Sequence, residues 1–496
     1  MTTTGHPSST ASGAVQAIGR IPDSVLERLK AAAGPGGWSA DPARLAPHLL
    51  DWRRRYQGAT PLLLLPDSTQ AVAAIVRVCA ETRTAIVPQG GNTGLVGGAT
   101  PSPEGDAVLV NLGRMNRVRG LDRDAATITV EAGCVLASVQ RAAEEAGLLF
   151  PLSLGAEGSC QIGGNLATNA GGLQVLRYGT ARALTLGLEA VLPDGRVWDG
   201  LRGLMKDNTG YDLKQLLIGS EGTLGIITAA VLRLFPLPEQ RVTALVAVND
   251  VTSALRVMAS LRAASGDRLS ACEIISARAL EFVMRHVRGT KPPFADLHPW
   301  VLLVECEGGA GDALGTMVET ALAALLEQGV AADAAVAQSA AQAQAMWRLR
   351  ETIPQAQTAE GGSIKHDISI PPTRAEAFMR AAEAAVTQAL AGVRVCAFGH
   401  LGDGNIHYNL SQPTGMDPQK FLSEWDRLAR IVHDLAIAAG GSISAEHGIG
   451  QAKRDDLLLY KPAVEMDVMR AVKRAIDPLG IMNPGKVLYA VAVPSR

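Results

Sequence analysis

The stretch SLGAEGSCQIGGNLATNAGG, residues 153–172, decides how the chain is read. Glycine lets backbone adopt φ > 0 and brings N–H groups close to a ligand. Successive amides in such turns form nests that hold anions. The Asn, Thr and Ser between them add short polar arms suited to phosphate or ribose hydroxyls. Two similar stretches lie on either side, PQGGNTGLVGG at 88–98 and IGSEGTLG at 218–225. Three dense coils in one half of a chain are too many for plain hairpin turns, so they are read as one nucleotide bed. The bed is not of the dinucleotide-fold kind, because no GxGxxG occurs. Gly480–Lys486 fits GxxxxGK, but Val487 stands where a phosphate loop needs Ser or Thr, and ten residues follow Lys486.

Outward from these coils, the first half reads as alternating helix and strand. PLLLLP at 61–66 is a buried strand, Ser68 caps a helix through the following STQAVAAIVRVCAET, and TAIVPQGG is a strand entering the first coil. LTLGLEAVLPDGRVWD turns at Asp194–Gly195 as a hairpin. Pro236–Leu237–Pro238 reads as a boundary. Beyond it, VTALVAVND, ACEIIS and WVLLVECEG alternate with helical runs, which predicts an antiparallel sheet with helices on one face. The expected division is a disordered head at 1–20, a first domain at 21–237, a second at 238–455, and a tail at 456–496 that packs back on the first. The fold class is α+β.

Composition narrows the function. Among 496 residues, 46 Lys and Arg against 48 Asp and Glu leave a charge of −2, which gives no footprint for nucleic acid. No apolar run is long enough for a transmembrane segment. Residues 1–20 lack the apolar core of a secretory signal. Six scattered cysteines without CxxC argue against a disulfide framework and fit a reducing cytoplasm.

Two compact motifs in the second half hold three of the nine histidines. In VRVCAFGHLGDGNIHYNL, a strand, a turn and a strand would set His400 beside His407. A carboxylate from elsewhere would complete a His2Glu set with open positions, the pattern of a catalytic divalent site. Glu446 in SAEHGIG is the candidate. His447 beside it would remain as a free imidazole suited to general-base work near neutral pH. The bland alternative is a group of core histidines satisfied by backbone. Arg350, in a helix expected to end near Pro354, and Lys365, in the expected strand GSIKHDISIP, are cations that could grip carboxylates.

The three glycine stretches closely resemble the FAD-binding half of the vanillyl-alcohol oxidase/PCMH-type flavoproteins. The resemblance extends through the C-terminal half and is nearest to the D-2-hydroxyglutarate and D-lactate dehydrogenases. It implies a PCMH-type FAD-binding domain of two α/β subdomains and a cap of antiparallel sheet with helices. Carried onto this chain, the FAD contacts in the first loop are Pro88, Gln89, Gly90, Gly91, Asn92, Thr93, Gly94 and Leu95. Those in the second are Ser153, Leu154, Gly155, Gly158, Ser159, Gly163, Gly164, Asn165, Thr168, Asn169, Gly171 and Gly172. Those in the third are Glu221, Gly222, Gly225, Ile226 and Ile227, with Asn483 and Lys486 from the C-terminal NPGK. The first loop has no His, and relatives with the GSC pattern around Cys160 hold FAD non-covalently, so non-covalent FAD is expected.

The resemblance further implies zinc, or Mn2+, Fe2+ or Co2+, on His400, His407 and Glu446, with His447 as base and substrate contact. Arg350, Lys365 and Asn409 match substrate contacts. Pro354 departs from the pattern, since the family has a Thr contact there, and proline has no hydroxyl. The implied activity is oxidation of a D-2-hydroxy acid by hydride transfer to flavin. D-2-hydroxyglutarate stands ahead of D-lactate, D-malate and glycolate, because two cations suit two carboxylates. The electron acceptor would be an electron-transfer flavoprotein, a quinone or a cytochrome, and the family is often homodimeric. The rival from another class is an FAD-binding subunit of a glycolate oxidase-type complex, which would have no need of the His/His/Glu-His set.

Overall fold

In the computed structural model, which describes residues 21–489, Ser68 accepts a hydrogen bond from the Ala71 N–H and starts the helix Thr69–Thr82. The head at 1–20 expected to be disordered lies outside the described residues. That helix turns Val72, Ile75, Val76 and Cys79 inward until none is exposed. It packs beside a four-stranded sheet ordered Trp38–Ser39, Leu63–Leu64, Ala107–Asn111, Ala85–Gln89. The last three strands run parallel. The first glycine stretch therefore begins at the carboxyl end of a parallel strand, where α/β sheets place their ligands.

The second part of this half is a five-stranded antiparallel sheet. Its centre is Ile226–Arg233, between Thr127–Glu131 and Thr185–Val191. Thr185–Val191 returns through the expected Asp194–Gly195 turn to Val197–Gly200. One apolar core joins both sheets and takes in Ile481 and Met482 from the tail. The tail runs beside Ala85–Gln89: the Ile86 N–H donates to the Ile481 carbonyl, and the Asn483 N–H donates to the Ile86 carbonyl, both at 2.8 Å.

Beyond Pro238 lies an eight-stranded sheet. Its order is Asp333–Val336, Gln240–Val248, Trp300–Gly308, Leu269–Ser276, Arg394–His400, Asn405–Ser411 and Ser363–Ile364, and Ile368–Ser369 also pairs with Asn405–Ser411. The pairings are antiparallel. Helices cover both faces, not the single face expected. Val246, Ile274 and Leu302 face Val251–Ala264 and Leu314–Glu327, whereas Leu245, Ile275 and Leu303 face Ala277–His286 and Leu349. The strands are apolar at successive positions, and a strand buried on both faces loses the alternation that would reveal its partners.

One local expectation holds and one changes. The helix Ala340–Glu351 ends near Pro354, as expected. It stops at Thr352, and Pro354 lies in the first turn of a new helix, Ile353–Ala359, where a missing N–H costs nothing. GSIKHDISIP is not one strand but two short ones, Ser363–Ile364 and Ile368–Ser369, with Lys365, His366 and Asp367 in the break. No helix among the described residues is long and apolar enough to cross a membrane.

Candidate active site

The three glycine stretches converge on one cleft, walled by Pro88–Gly94, Gly163–Asn165, Thr168 and Glu221–Gly222 with Gly225–Ile227. At Gly94 and Gly164 an added Cβ would meet nothing within 4 Å, so the bare backbone faces open space. Gln161 Oε1 and Asn165 Oδ1, both on the cleft wall, are buried acceptors without a partner. Exposed backbone and idle acceptors fit a large polar ligand with N–H and O–H donors, as FAD is. Gln161, Val96, Gly98, Ala99, Leu112 and Ala132 also line the cleft and went unmarked in the sequence. Gln161 could have been found, since it lies inside the quoted stretch.

Several residues expected at the cofactor are not among those that wall this cleft. Leu95, Ser153, Leu154, Gly155, Gly158 and Gly172 line the adjoining cavity. Ser159 and Gly171 are in neither wall, and a Cβ on Gly171 would stand 3.0 Å from Glu446 Oε1. Asn169 accepts the Arg182 N–H. Asn483 donates to the carbonyls of Gly98 and Glu221, and neither it nor the buried Lys486 reaches the cleft wall. Asn169 and Asn483 thereby hold backbone segments together. Arg177 and Arg182 likewise bind protein, at Glu307 and at Gln215 with Ile218.

The adjoining cavity, of about 650 Å³, holds the residues of the second half. The hairpin Arg394–His400 and Asn405–Ser411 pairs Phe398 with His407, which sets His400 and His407 on one face with ring centroids 5.7 Å apart. The turn needs glycine. Gly404 has φ +80°, and a Cβ there would lie 2.1 Å from the Ile370 carbonyl oxygen. Donor atoms of His400, His407 and Glu446 all lie within 4.8 Å of one another. Two imidazoles and a carboxylate suit a divalent cation.

A carboxylate stands behind this set. Glu273, with no exposure, bonds His400 Nδ1 through one oxygen and accepts from Arg350 Nε at 2.5 Å through the other. A metal-binding His whose second nitrogen meets a carboxylate is held in orientation and tautomer. Burial opposes the Glu273 charge, but His400 and Arg350 outweigh it and bring the carboxyl to about 2. Burial also opposes charge on His400, yet Glu273 raises it to about 9. Burial, with Arg350 and His400 adding to it, holds His407 well below the usual range. Burial pushes Glu446 up to about 7, against the pull of His400.

His447 is placed by its loop. Asp367 Oδ2 accepts the backbone N–H groups of Glu446 at 3.0 Å and His447 at 2.8 Å, and lies 3.3 Å from His447 Nδ1. Two residues on, Glu221 accepts from the N–H groups of Ile449 at 2.7 Å and Gly450 at 2.8 Å. Glu221 thus lines the cleft while its carboxylate clamps the loop of the other half. Gly450, at φ +52°, passes Val96 where a Cβ would lie 2.3 Å from its carbonyl oxygen. Burial brings His447 to about 4 despite Asp367, so its ring is neutral at pH 7. Among the described residues, His447 is the one that lines both the glycine cleft and the cavity.

Arg350, Lys365, Asn409 and Pro354 line the same cavity. Arg350 also stacks over Phe398, 4.7 Å from the ring centroid. Asn409 Oδ1 accepts the His366 N–H and its Nδ2 donates to Gln357. Sequence reasoning missed Glu273 and Asp367, each a single acidic residue among apolar ones.

Residues 237–487 match the C-terminal domain of the FAD linked oxidases, and residues 60–200 match an FAD binding domain. A mitochondrial D-2-hydroxyglutarate dehydrogenase of Bos taurus is 39% identical over 479 residues, covering 95% of this chain and 85% of that protein. A D-2-hydroxyglutarate dehydrogenase of Xanthomonas citri pv. viticola is 38% identical over 456 residues, 92% of this chain and 95% of that protein. A putative mitochondrial D-lactate dehydrogenase of Schizosaccharomyces pombe is 37% identical over 458 residues, 90% of this chain and 85% of that protein. Among solved structures, p-cresol methylhydroxylase with substrate bound superposes with a TM-score of 0.75 at 16% identity, over 94% of this chain and 97% of that one. That likeness shows the fold alone.

Proposed function

The chain belongs to the FAD-linked oxidase family, and we propose that it is an FAD-dependent dehydrogenase that oxidises D-2-hydroxyglutarate to 2-oxoglutarate. The observation that carries the reading is His447, which stands between the glycine cleft and the cavity of the His400, His407 and Glu446 set. When bound, FAD supplies the hydride acceptor and a divalent cation supplies Lewis acidity toward the substrate hydroxyl. His400, His407 and Glu446 would hold that cation, with zinc the first choice and Mn2+, Fe2+ or Co2+ the others.

The protein's own groups do the rest. Asp367 lies 3.3 Å from Nδ1 of His447 and its charge favours the imidazolium that forms when the ring takes the substrate hydroxyl proton. Arg350, fixed by Glu273 and Phe398, keeps its outer N–H groups for a carboxylate. Lys365 and Asn409 line the same wall and would orient the substrate so that C2 faces the cleft. The division at 237/238 and the return of the tail from residue 456 to the FAD half complete the reading, with residues 490–496 outside the described residues. It includes an electron-transfer flavoprotein, quinone or cytochrome as acceptor, and a homodimer. It also includes the cytoplasm as compartment, which the six buried free thiols suit.

The second reading is D-lactate. Pro354 favours it, because its ring lines the cavity where the dicarboxylate pattern calls for a hydroxyl. The test is anaerobic. FAD- and zinc-loaded protein is mixed separately with D-2-hydroxyglutarate, L-2-hydroxyglutarate and D-lactate, and the flavin bands are followed. Bleaching by D-2-hydroxyglutarate alone is expected. Bleaching by D-lactate alone selects the second reading, and no bleaching by any of the three removes both.

A further inference from the structure

A turn from the first half of the chain reaches the substrate cavity. The buried Asp51 accepts the backbone N–H groups of Arg53 at 3.1 Å and of Arg55 and Tyr56 at 2.6 Å. Leu50 bridges Gln57 across the turn, and Asn92 of the first glycine stretch donates to the Leu50 carbonyl at 2.9 Å. The turn is therefore fastened to itself and to the cofactor loop. From it Arg53, half-buried, lines the cavity together with Lys365, Arg350, Pro354 and His447.

The charges in this cavity do not balance. Arg350 is ion-paired with Glu273. Among the described residues, neither the Arg53 guanidinium nor the Lys365 ammonium has a hydrogen-bond or ion-pair partner. Burial disfavours the Lys365 charge, and Arg53 disfavours it further, so the two cations feel each other. Burial also disfavours the charge on Arg53. Asp367 and Asp51 favour the Arg53 charge from a distance, but both are taken up by backbone N–H groups. The carboxylates on the wall do not pair with either cation: Glu157 accepts the Leu154 N–H, Glu446 belongs to the histidine set, and Glu351 is exposed. Two half-desolvated cations sharing one cavity cost free energy until an anion joins them.

We propose that Arg53 is a specificity-determining residue, whose guanidinium pairs with Lys365 to seat the substrate carboxylate remote from C2. The inference rests on the 2-hydroxy acid reading above. It supplies the contact that Pro354 cannot, from a turn that lies outside the second half altogether.

The test uses the FAD- and zinc-loaded protein and its Arg53→Gln and Arg53→Lys variants. D-2-hydroxyglutarate is compared with D-2-hydroxybutyrate, which lacks the remote carboxylate and is otherwise closely similar. Arg53→Gln is expected to lower kcat/KM for D-2-hydroxyglutarate on the order of 100-fold, the worth of a lost charge-assisted contact. D-2-hydroxybutyrate should change by no more than about 3-fold, and Arg53→Lys should fall between. Glutarate, which cannot be oxidised, should bind the Gln variant more weakly by the same order in calorimetry, with FAD content unchanged. Equal losses on both substrates, or lost FAD, would make Arg53 a support of the cofactor loop and overturn the proposal. So would full retention of activity toward D-2-hydroxyglutarate. If the unsubstituted protein bleaches with neither substrate, the functional reading fails and takes this inference with it. If it bleaches with D-2-hydroxyglutarate and the Gln variant does so equally well, the inference alone fails.

Discussion

Asp367 and His447 show how one carboxylate sets both the position and the charge of a neighbouring ring. The backbone N–H of His447 fixes where the ring starts, and the Asp367 charge 3.3 Å from Nδ1 favours the ring's protonated form against burial. His447→Asn removes the proton acceptor. Flavin reduction by substrate should then slow by about 10²–10⁴-fold, the usual contribution of a positioned base, while FAD stays bound. Asp367→Asn keeps an oxygen for the backbone N–H groups but loses the charge beside Nδ1. Its loss should be smaller, roughly 10–100-fold, as for partners of a functional imidazole, and the pH–rate profile should shift. Stopped-flow reduction of each variant across pH distinguishes them. An unshifted profile for Asp367→Asn would leave Asp367 as packing only. At this scale the sequence was uneven. His400, His407, Glu446 and His447 stood out because glycines flank them. Glu273 did not, because one acidic residue within ACEIIS carries no mark of the two cations it meets.

At the scale of elements, helices were readable where one face is polar, as in Thr69–Thr82, and the hairpin at Asp194–Gly195 was readable from its turn residues. The two-sided cover of the large sheet was hidden by strands apolar at nearly every position, such as Leu269–Ser276. Glu360, just past the helix that Pro354 opens, ties three elements together. It bonds Arg394 on a central strand, and Arg285 at 2.7 Å and His286 at 2.6 Å on a helix. Burial opposes its charge, but Arg394 and then His286 outweigh that and bring the carboxyl to about 2. An unfolded Glu titrates near 4.3, so this carboxylate stabilises the fold fully above about pH 4.3 and loses that contribution as pH falls toward 2. Glu360→Gln should therefore melt at a lower temperature than the parent at pH 6, and the gap should close between about pH 4.3 and 2. Melting curves across that range check it. A gap that stays constant with pH would mean that the charge on Glu360 is not what joins these elements.

At the scale of the whole molecule, the candidate site belongs to neither half. Apart from His447, the cleft comes from residues before 238, and the histidine set comes from residues after it; they meet where Glu221 takes the N–H groups of Ile449 and Gly450. This joint was invisible in the sequence, because Glu221 and Gly450 are 229 positions apart and the GSEG context marked Glu221 as a cofactor residue only. Removing the carboxylate strands the buried N–H of Gly450, worth about 1–3 kcal/mol when left without a partner, and the half-buried N–H of Ile449, worth less. The loop can answer by moving, and the first thing it carries is His447, two residues from Ile449. Glu221→Ala should keep the fold, since the apolar cores of the two halves do not depend on it, yet slow flavin reduction by at least about 10-fold. Glu221→Gln, which retains an acceptor, should lose less. Hydrogen exchange at the Ile449 and Gly450 amides provides a reading independent of turnover, and both should exchange faster in the Ala variant. If those amides stay protected while activity falls, Glu221 acts on the cofactor directly and the two halves are joined elsewhere.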